Sequence, residues 1–422
     1  MNIQIPYGRE KLEAVLPDNR VRTVLRGTLD SVQPDRSESE LVRASLENPI
    51  GSKRLCELAA GKQKFVILCS DHTRPVPSRI IIPLMLEEIR RGNPAADITL
   101  LIATGCHRGT TAEELKDKFG EEVYEHERIC VHDCEDTDNL IDLGVLPSGG
   151  KLLINRLAAE ADLLVSEGFV EPHFFAGFSG GRKSVLPGIA AKETVYWNHN
   201  ADFIHDANSR AGVLEGNPIH RDMLWAAQQA KLVFICNVII NAEHKVIASF
   251  AGDLQKAHEQ AAAYLATLCE VSADKTDIVI TTNNGYPLDQ NLYQTVKGMC
   301  TAEAVCREGG VIIMAGACED GIGGDGFFRT FDVPETAAEI LAQIERTEKK
   351  DTVCDQWQSQ IFARILAKHT VIMISSLPDD TIRRMKMIPA HSIEEAMVKA
   401  DDVLGCEGSV TVIPEGISVY AK

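Results

Sequence analysis

No stretch of this 422-residue chain approaches the roughly 18–20 consecutive apolar residues that a membrane span requires. The N-terminus, MNIQIPYGRE, lacks the charged-then-apolar pattern of an export signal. The 12 cysteines are scattered without a CxxC pair, so reduced thiols in a cytoplasmic protein are expected. Basic charge is scarce: 43 Lys and Arg against 61 Asp and Glu leave a formal charge of −18. Such a surface repels nucleic acid and anionic membranes, and neither is expected as a partner. It would repel a small acidic substrate too, which local Arg and Lys side chains must then gather. Internal repeats and low-complexity linkers are also missing.

What is present is a regular alternation of elements. KFVILCS (64–70) and DITLLIATG (97–105) read as buried strands, and SRIIIPLMLEEIRRG (78–92) has helical spacing. In TTAEELKDKFG, Thr111 and Glu114 have capping-box spacing and Gly120 is placed to stop the helix. ERICVHD and ADLLVSEG add two more strands. The stretch 191–231 should be mainly helical. LVFICNVII (232–240) and KVIASFAG (245–252) read as an antiparallel pair turned by NAEH, followed by an alanine-rich helix over 254–269. A second alternating series starts at TDIVITTNNG (276–285). It continues through a helix around 292–307, the strand GVIIMAG (310–316), helices in 334–346 and 355–368, and the strand TVIMISS (370–376).

This βαβ grammar predicts two α/β domains with mostly parallel sheets. The expected division is an N-terminal domain over 1–272, joined by the strand-like tail 405–422, and a smaller domain over 273–404. EDGIGGDGFF (319–328) reads as an interdomain or lid loop, since its acidic residues exclude a simple phosphate cradle.

Ligands of such sheets bind beyond the carboxyl ends of the strands. Each strongly polar cluster falls at such an exit: Asp71-His72-Thr73-Arg74, then Cys106-His107-Arg108, then the loop bearing His173 and Lys183, and finally Asn283 and Asn284 leading to Gln294 and Lys297. That clustering points to one active site between two domains.

Imidazoles at 107, 173 and 199 suit proton transfer near neutrality and also bind metals, so residue type permits either role. Arg74 and Lys297 are natural carboxylate anchors. In GFSGGRKS, glycines let backbone N–H groups face an anion, and Lys183 can add charge or a covalent bond. The spacing is not that of a Walker-type phosphate loop. The apolar flanks PHFF and VLPGI indicate a packed loop rather than a mobile one. HERICVHDC gathers Cys130, His132 and Cys134 on one face of a strand, but the outer two would lie about 13 Å apart at ~3.3 Å per residue, too far for one ion.

The segments DHTRPVP, ATGCHRGTT, EPHFFAGFSGGRKSVLPG and WNHN, with Gln294 and Lys297, resemble the nickel-dependent lactate racemase family in order and spacing through nearly the whole chain. The resemblance implies a pyridinium-3,5-bisthiocarboxylic acid mononucleotide (the nickel-pincer nucleotide) joined to Lys183, with nickel held by its sulfurs, a ring carbon and His199. It implies His107 and His173 as the acid/base pair, and a 2-keto acid intermediate formed by hydride transfer. It further implies Asp71, His72, Thr73 and Arg74 at the cofactor, and Arg74, Gln294, Lys297 and Trp357 at a small 2-hydroxy acid, with cofactor-synthesis proteins as cellular partners. Two other readings use the same residues: a zinc-dependent hydrolase built on the three histidines, and a non-catalytic nucleotide-cofactor binding protein. The first lacks an HxH or HExxH pair among them, and the second has no use for two proton-transfer imidazoles.

Overall fold

Five consecutive buried residues, Phe65 to Cys69, make the strand Lys64–Ser70 an inner member of a six-stranded sheet. Burial on both faces is what an uninterrupted apolar run achieves in a parallel sheet covered by helices. In the computed structural model, which describes residues 1–421, the sheet runs in the order Val246–Gly252, Leu232–Ile240, Leu163–Phe169, Lys64–Ser70, Asp97–Ala103, Arg128–Val131. All neighbours are parallel except the first two, which form the expected antiparallel pair.

The helix Ser78–Gly92 lays Ile81, Ile82, Met85, Leu86 and Ile89 against Ile67, Cys69, Leu100, Ile102 and Val165. Fully burying one such side chain contributes roughly 1.5–3 kcal/mol. The helix Ala112–Phe119 has the reciprocal Thr111–Glu114 capping box and ends at Gly120, as its spacing predicts. These elements belong to a unit comprising Leu29–His199 and Ala207–Thr267.

The second unit comprises Met1–Thr28, Asn200–Asp206 and the chain from Leu268 onward. Its sheet is wholly parallel: Ile388–Ala390, Thr370–Ile374, Cys306–Ala315, Thr276–Thr282, Val410–Ile413, Val21–Val24. Ile278, Ile280, Val311, Ile313, Ile372, Val410 and Val412 fill its core.

Four expectations need correction. The tail does not join the larger unit, because Val410–Ile413 inserts between Thr276–Thr282 and Val21–Val24. The N-terminal residues leave the 1–272 grouping for the same reason, since the strand Val21–Val24 pairs with that tail. The reading of 319–328 as a loop holds only to Gly324, after which Asp325–Asp332 is helical and buries Phe327 and Phe331. Between His205 and Pro218 the chain is irregular rather than helical. No helix among the described residues is long and apolar enough to cross a membrane.

Candidate active site

Strand exits build the site in the larger unit. After Ser70 the chain turns at Asp71, a buried carboxylate. Its Oδ1 accepts from the Thr73 hydroxyl at 2.7 Å and the Thr73 amide at 3.2 Å, and its Oδ2 lies 2.7 Å from His107 Nδ1. Burial pushes the Asp71 carboxyl up, yet the His107 hydrogen bond and charge, with Thr73 and Arg74, outweigh it and hold it below the ordinary carboxylate value. Arg74 is exposed and donates from Nη1 to the Thr73 hydroxyl at 2.9 Å. His72 packs the other way, with Nδ1 3.1 Å from the Thr110 hydroxyl.

His107 is carried by the exit of Asp97–Ala103, where its amide donates to Thr104 O at 3.0 Å. Gly105, at φ +56°, donates its amide to Gly188 O at 2.9 Å, joining this exit to the glycine-rich loop. With Nδ1–H on a carboxylate, His107 presents Nε2 as its basic atom.

In the glycine-rich loop, His173 Nδ1 accepts the Ala176 amide at 3.3 Å, which puts the ring proton on Nε2. Phe175 is the hub of the loop. Its ring stands edge-on to His173 at 4.5 Å and to His199 at 5.2 Å, and Lys183 Nζ lies 5.8 Å from its centroid. Lys183 is partly buried in the short helix Gly181–Ser184. Burial, then the charges of Arg182 and Arg74, hold its amine well below the ordinary lysine value against a smaller pull from Glu171. That depression favours the free amine, the nucleophilic form of a lysine. Buried His199 donates from Nδ1 to Val195 O at 3.0 Å. Burial first, and then the Lys183 charge, push its value down to about 3, leaving a neutral imidazole whose free lone pair is on Nε2.

Arg182 holds the loop from beneath. Its buried guanidinium donates to Phe178 O and Ala176 O at 2.7 Å and to His220 Nδ1 at 3.0 Å, and lies 2.9 Å from His258 Nε2. Burial lowers its value to about 9. Asn237 Oδ1 accepts the Gly181 amide at 2.8 Å.

Gln294 and Lys297 lie three residues apart on the helix Leu292–Val305, so they share a face. Trp357 lies in the first turn of the helix Gln356–Lys368 and hydrogen-bonds Tyr293. All three belong to the second unit. Among the described residues no three His, Cys, Asp or Glu converge as a metal's ligand set. The three-histidine zinc site of the hydrolase reading is therefore not formed. His132 is buried between Asn155 and Ala190 O, because its strand ends at Val131.

The sequence profile of the lactate racemase N-terminal domain matches residues 7–212, and that of the lactate racemase C-terminal domain matches 271–421. A lactate racemase of Thermoanaerobacterium thermosaccharolyticum is 51% identical over 422 residues, spanning 100% of this chain and 99% of the relative. One from Lactiplantibacillus plantarum is 48% identical over 421 residues, with the same coverage. The chain belongs to the lactate racemase family. The structure of the T. thermosaccharolyticum lactate racemase apoprotein superposes with a TM-score of 0.97 at 50% identity, covering 100% of both chains. A Thermotoga maritima protein superposes at 0.64 and 20% identity, over 93% of this chain and 100% of its own, and shares the fold.

This racemase uses supports that the motif reading passed over. Glu167 is buried, and its Oε1 accepts from the Ser70 amide and hydroxyl at 3.1 Å and the Ser78 hydroxyl at 3.0 Å. Those donors bracket the DHTRPVP loop at both ends. The available signal was a charged residue inside an apolar run (LLVSEGF), and Asn237 in LVFICNVII gives the same signal, since buried polar groups need partners. Phe175 offered no such mark; an aromatic beside a histidine reads as packing.

Proposed function

We propose that this protein racemises a small 2-hydroxy acid, lactate first, with a nickel-pincer nucleotide carried on Lys183. The names of relatives near half identity along their full length support the substrate. The observation that carries the mechanism is the opposite hydrogen bonding of two imidazoles: His107 donates from Nδ1 to Asp71, whereas His173 accepts at Nδ1 from Ala176.

The residues fit the cofactor. An amine whose burial favours its free form can form the covalent link, and His199 Nε2 would be a suitable ligand beside soft sulfur and carbon donors, a set that suits nickel better than tetrahedral zinc. When bound, the group supplies the acceptor and donor of hydride that passage through a 2-keto acid requires.

The chain's own residues supply the rest. Arg74 anchors the carboxylate. For one enantiomer His107 Nε2 takes the hydroxyl proton, and Asp71 stabilises the imidazolium that forms. His173 returns a proton to the oxygen from its imidazolium form, in which Nδ1 has taken up the second ring proton, as the opposite enantiomer is completed. One passage leaves His107 an imidazolium and His173 a neutral imidazole, the state from which the reverse direction starts. General-base help of this kind contributes on the order of 10²–10⁴ in rate. Asp71, His72 and Thr73 are assigned to the cofactor, and Gln294, Lys297 and Trp357 to substrate, on the resemblance. Cytoplasmic residence and dependence on cofactor-synthesis proteins complete the reading.

The test uses protein made together with those synthesis proteins. Intact mass should show an adduct on Lys183, elemental analysis should show nickel, and chiral chromatography should show lactate racemising. His107→Ala and His173→Ala should each lose turnover while keeping nickel. Full turnover in both variants would overturn the assignment.

A further inference from the structure

The cysteines of HERICVHDC find no metal, but one of them meets a thiol from another strand exit. Asp97–Ala103 and Arg128–Val131 are parallel neighbours with Ile102 opposite Val131. Past the ladder the two chains stay tied: the His132 amide donates to Ile102 O at 3.1 Å, and the Thr104 hydroxyl donates to His132 O at 2.7 Å. Cys106 and Cys134 each follow two residues after that last tie. Neighbouring strands run about 4.8 Å apart, so these ties hold the two chains close where the cysteines follow.

The two thiols hydrogen-bond to one another. Both are partly exposed, whereas Cys69, Cys236, Cys269, Cys306 and Cys318 are buried. The Cys134 backbone carbonyl accepts the Lys192 amide at 3.1 Å, and the Lys192 ammonium acts on both sulfurs. Cys106 directly precedes His107.

We propose that Cys106 and Cys134 are a peroxide-sensitive dithiol whose closure into a disulfide slows the reaction at the adjoining His107. The effect on turnover rests on the racemase reading; the disulfide itself does not. The Cys106 hydrogen bond, the largest influence, lowers the Cys134 thiol with help from the Lys192 charge and against burial and the charges of Glu135 and Asp133, while burial pushes Cys69, Cys236, Cys306 and Cys318 up. Cys134 is therefore the more readily ionised of the pair and supplies the attacking thiolate. Its sulfur takes one peroxide oxygen to become a sulfenic acid, releasing hydroxide. The Cys106 sulfur then attacks that sulfenic sulfur, the S–S bond forms, and the oxygen leaves as water. In sum two thiols are oxidised and one hydrogen peroxide is reduced to two waters.

The test treats the reduced full-length holoprotein with equimolar hydrogen peroxide, caps remaining thiols with N-ethylmaleimide, and maps peptides by mass. A peptide pair joined through Cys106 and Cys134, absent in Cys106→Ser and in Cys134→Ser, is the expected result. In wild type, racemisation should fall on the order of 10²-fold, the scale of a misplaced general base, and recover with dithiothreitol. Either serine variant should keep its turnover through the same treatment. A joined pair with unchanged turnover would overturn the switch. No joined pair, or oxidation confined to exposed Cys354 and Cys406, would overturn the dithiol itself. A reduced holoprotein that racemises nothing would count against the racemase reading, while the peptide masses would still decide the dithiol.

Discussion

Replacing Asp71 by asparagine tests the proton-transfer reading at the bond that defines it. Asparagine preserves the shape, and its oxygen can still accept from Thr73, so Arg74 keeps its seat on the Thr73 hydroxyl. The amide would instead turn its N–H toward His107 Nδ1, where the carboxylate Oδ2 now lies at 2.7 Å. The His107 proton would then move to Nε2, and the basic lone pair would be lost from the side facing substrate. A hydrogen bond to a charged group contributes about 1.5–3 kcal/mol, which converts to roughly 10- to 150-fold in rate. Reversal of the tautomer adds to this, and a positioned general base is worth on the order of 10²–10⁴. The expected outcome is a fall in kcat of at least about 10²-fold with a small change in KM. The assay is chiral chromatography of lactate, with intact mass and nickel content as controls for loading. A kcat within about threefold of wild type, less than ~1 kcal/mol, with loading unchanged, would refute the argument.

Three further outcomes follow from the same structure. Burial holds His199 at about 3 and His258 well below its ordinary value, the charges of Lys183 and Arg182 adding to it. Below about pH 6.5 the unfolded chain takes up these protons and the folded chain does not. Stability should therefore be complete above that pH and fall toward about pH 3, by about 1.4 kcal/mol per pH unit for each histidine; a flat urea midpoint between about pH 7 and pH 5 would contradict this. Glu167→Ala leaves the Ser70 amide and hydroxyl without that acceptor and the Ser78 hydroxyl with only Val76 O at 3.5 Å, and should cost at least about 2 kcal/mol at about 1–3 for each unpaired group; Glu167→Gln should recover most of it in urea unfolding. Gly181 sits at φ +52°, and an added Cβ would come within 2.8 Å of His258 Cδ2; Gly181→Ala should lower stability by about 1–2 kcal/mol or more and reduce the mass adduct on Lys183, and an unchanged melting temperature with full adduct would sink it.

Element type and most boundaries were legible because they are local. KFVILCS, SRIIIPLMLEEIRRG and LQKAHEQAAAYLATLC became the strand Lys64–Ser70 and the helices Ser78–Gly92 and Leu254–Cys269 at the expected ends. Capping-box and glycine-stop signals act within a few residues, so nothing distant can override them cheaply. The tail misled because a four-residue strand states only that it needs a ladder. Which ladder accepts Val410–Ile413 depends on Thr276–Thr282 and Val21–Val24, one more than a hundred residues upstream and the other near the chain start. The helix Asp325–Asp332 was hidden by its glycines, whose cost is met by burying Phe327 and Phe331 against Phe362.

The candidate site divides along the same line. Residue identities and their seats at strand exits are properties of short stretches, and the sequence alone determined which imidazoles, which lysine and which arginine were available, as well as the α/β alternation that carries them. Only the tertiary structure decided that Asp71 holds His107, that Phe175 stands among His173, His199 and Lys183, and that Cys134 meets Cys106 rather than Cys130. Side-chain hydrogen bonds and charges act over a few ångströms in space, and parallel strands bring such groups together only after crossovers of about a dozen residues or more, a distance that no local pattern encodes.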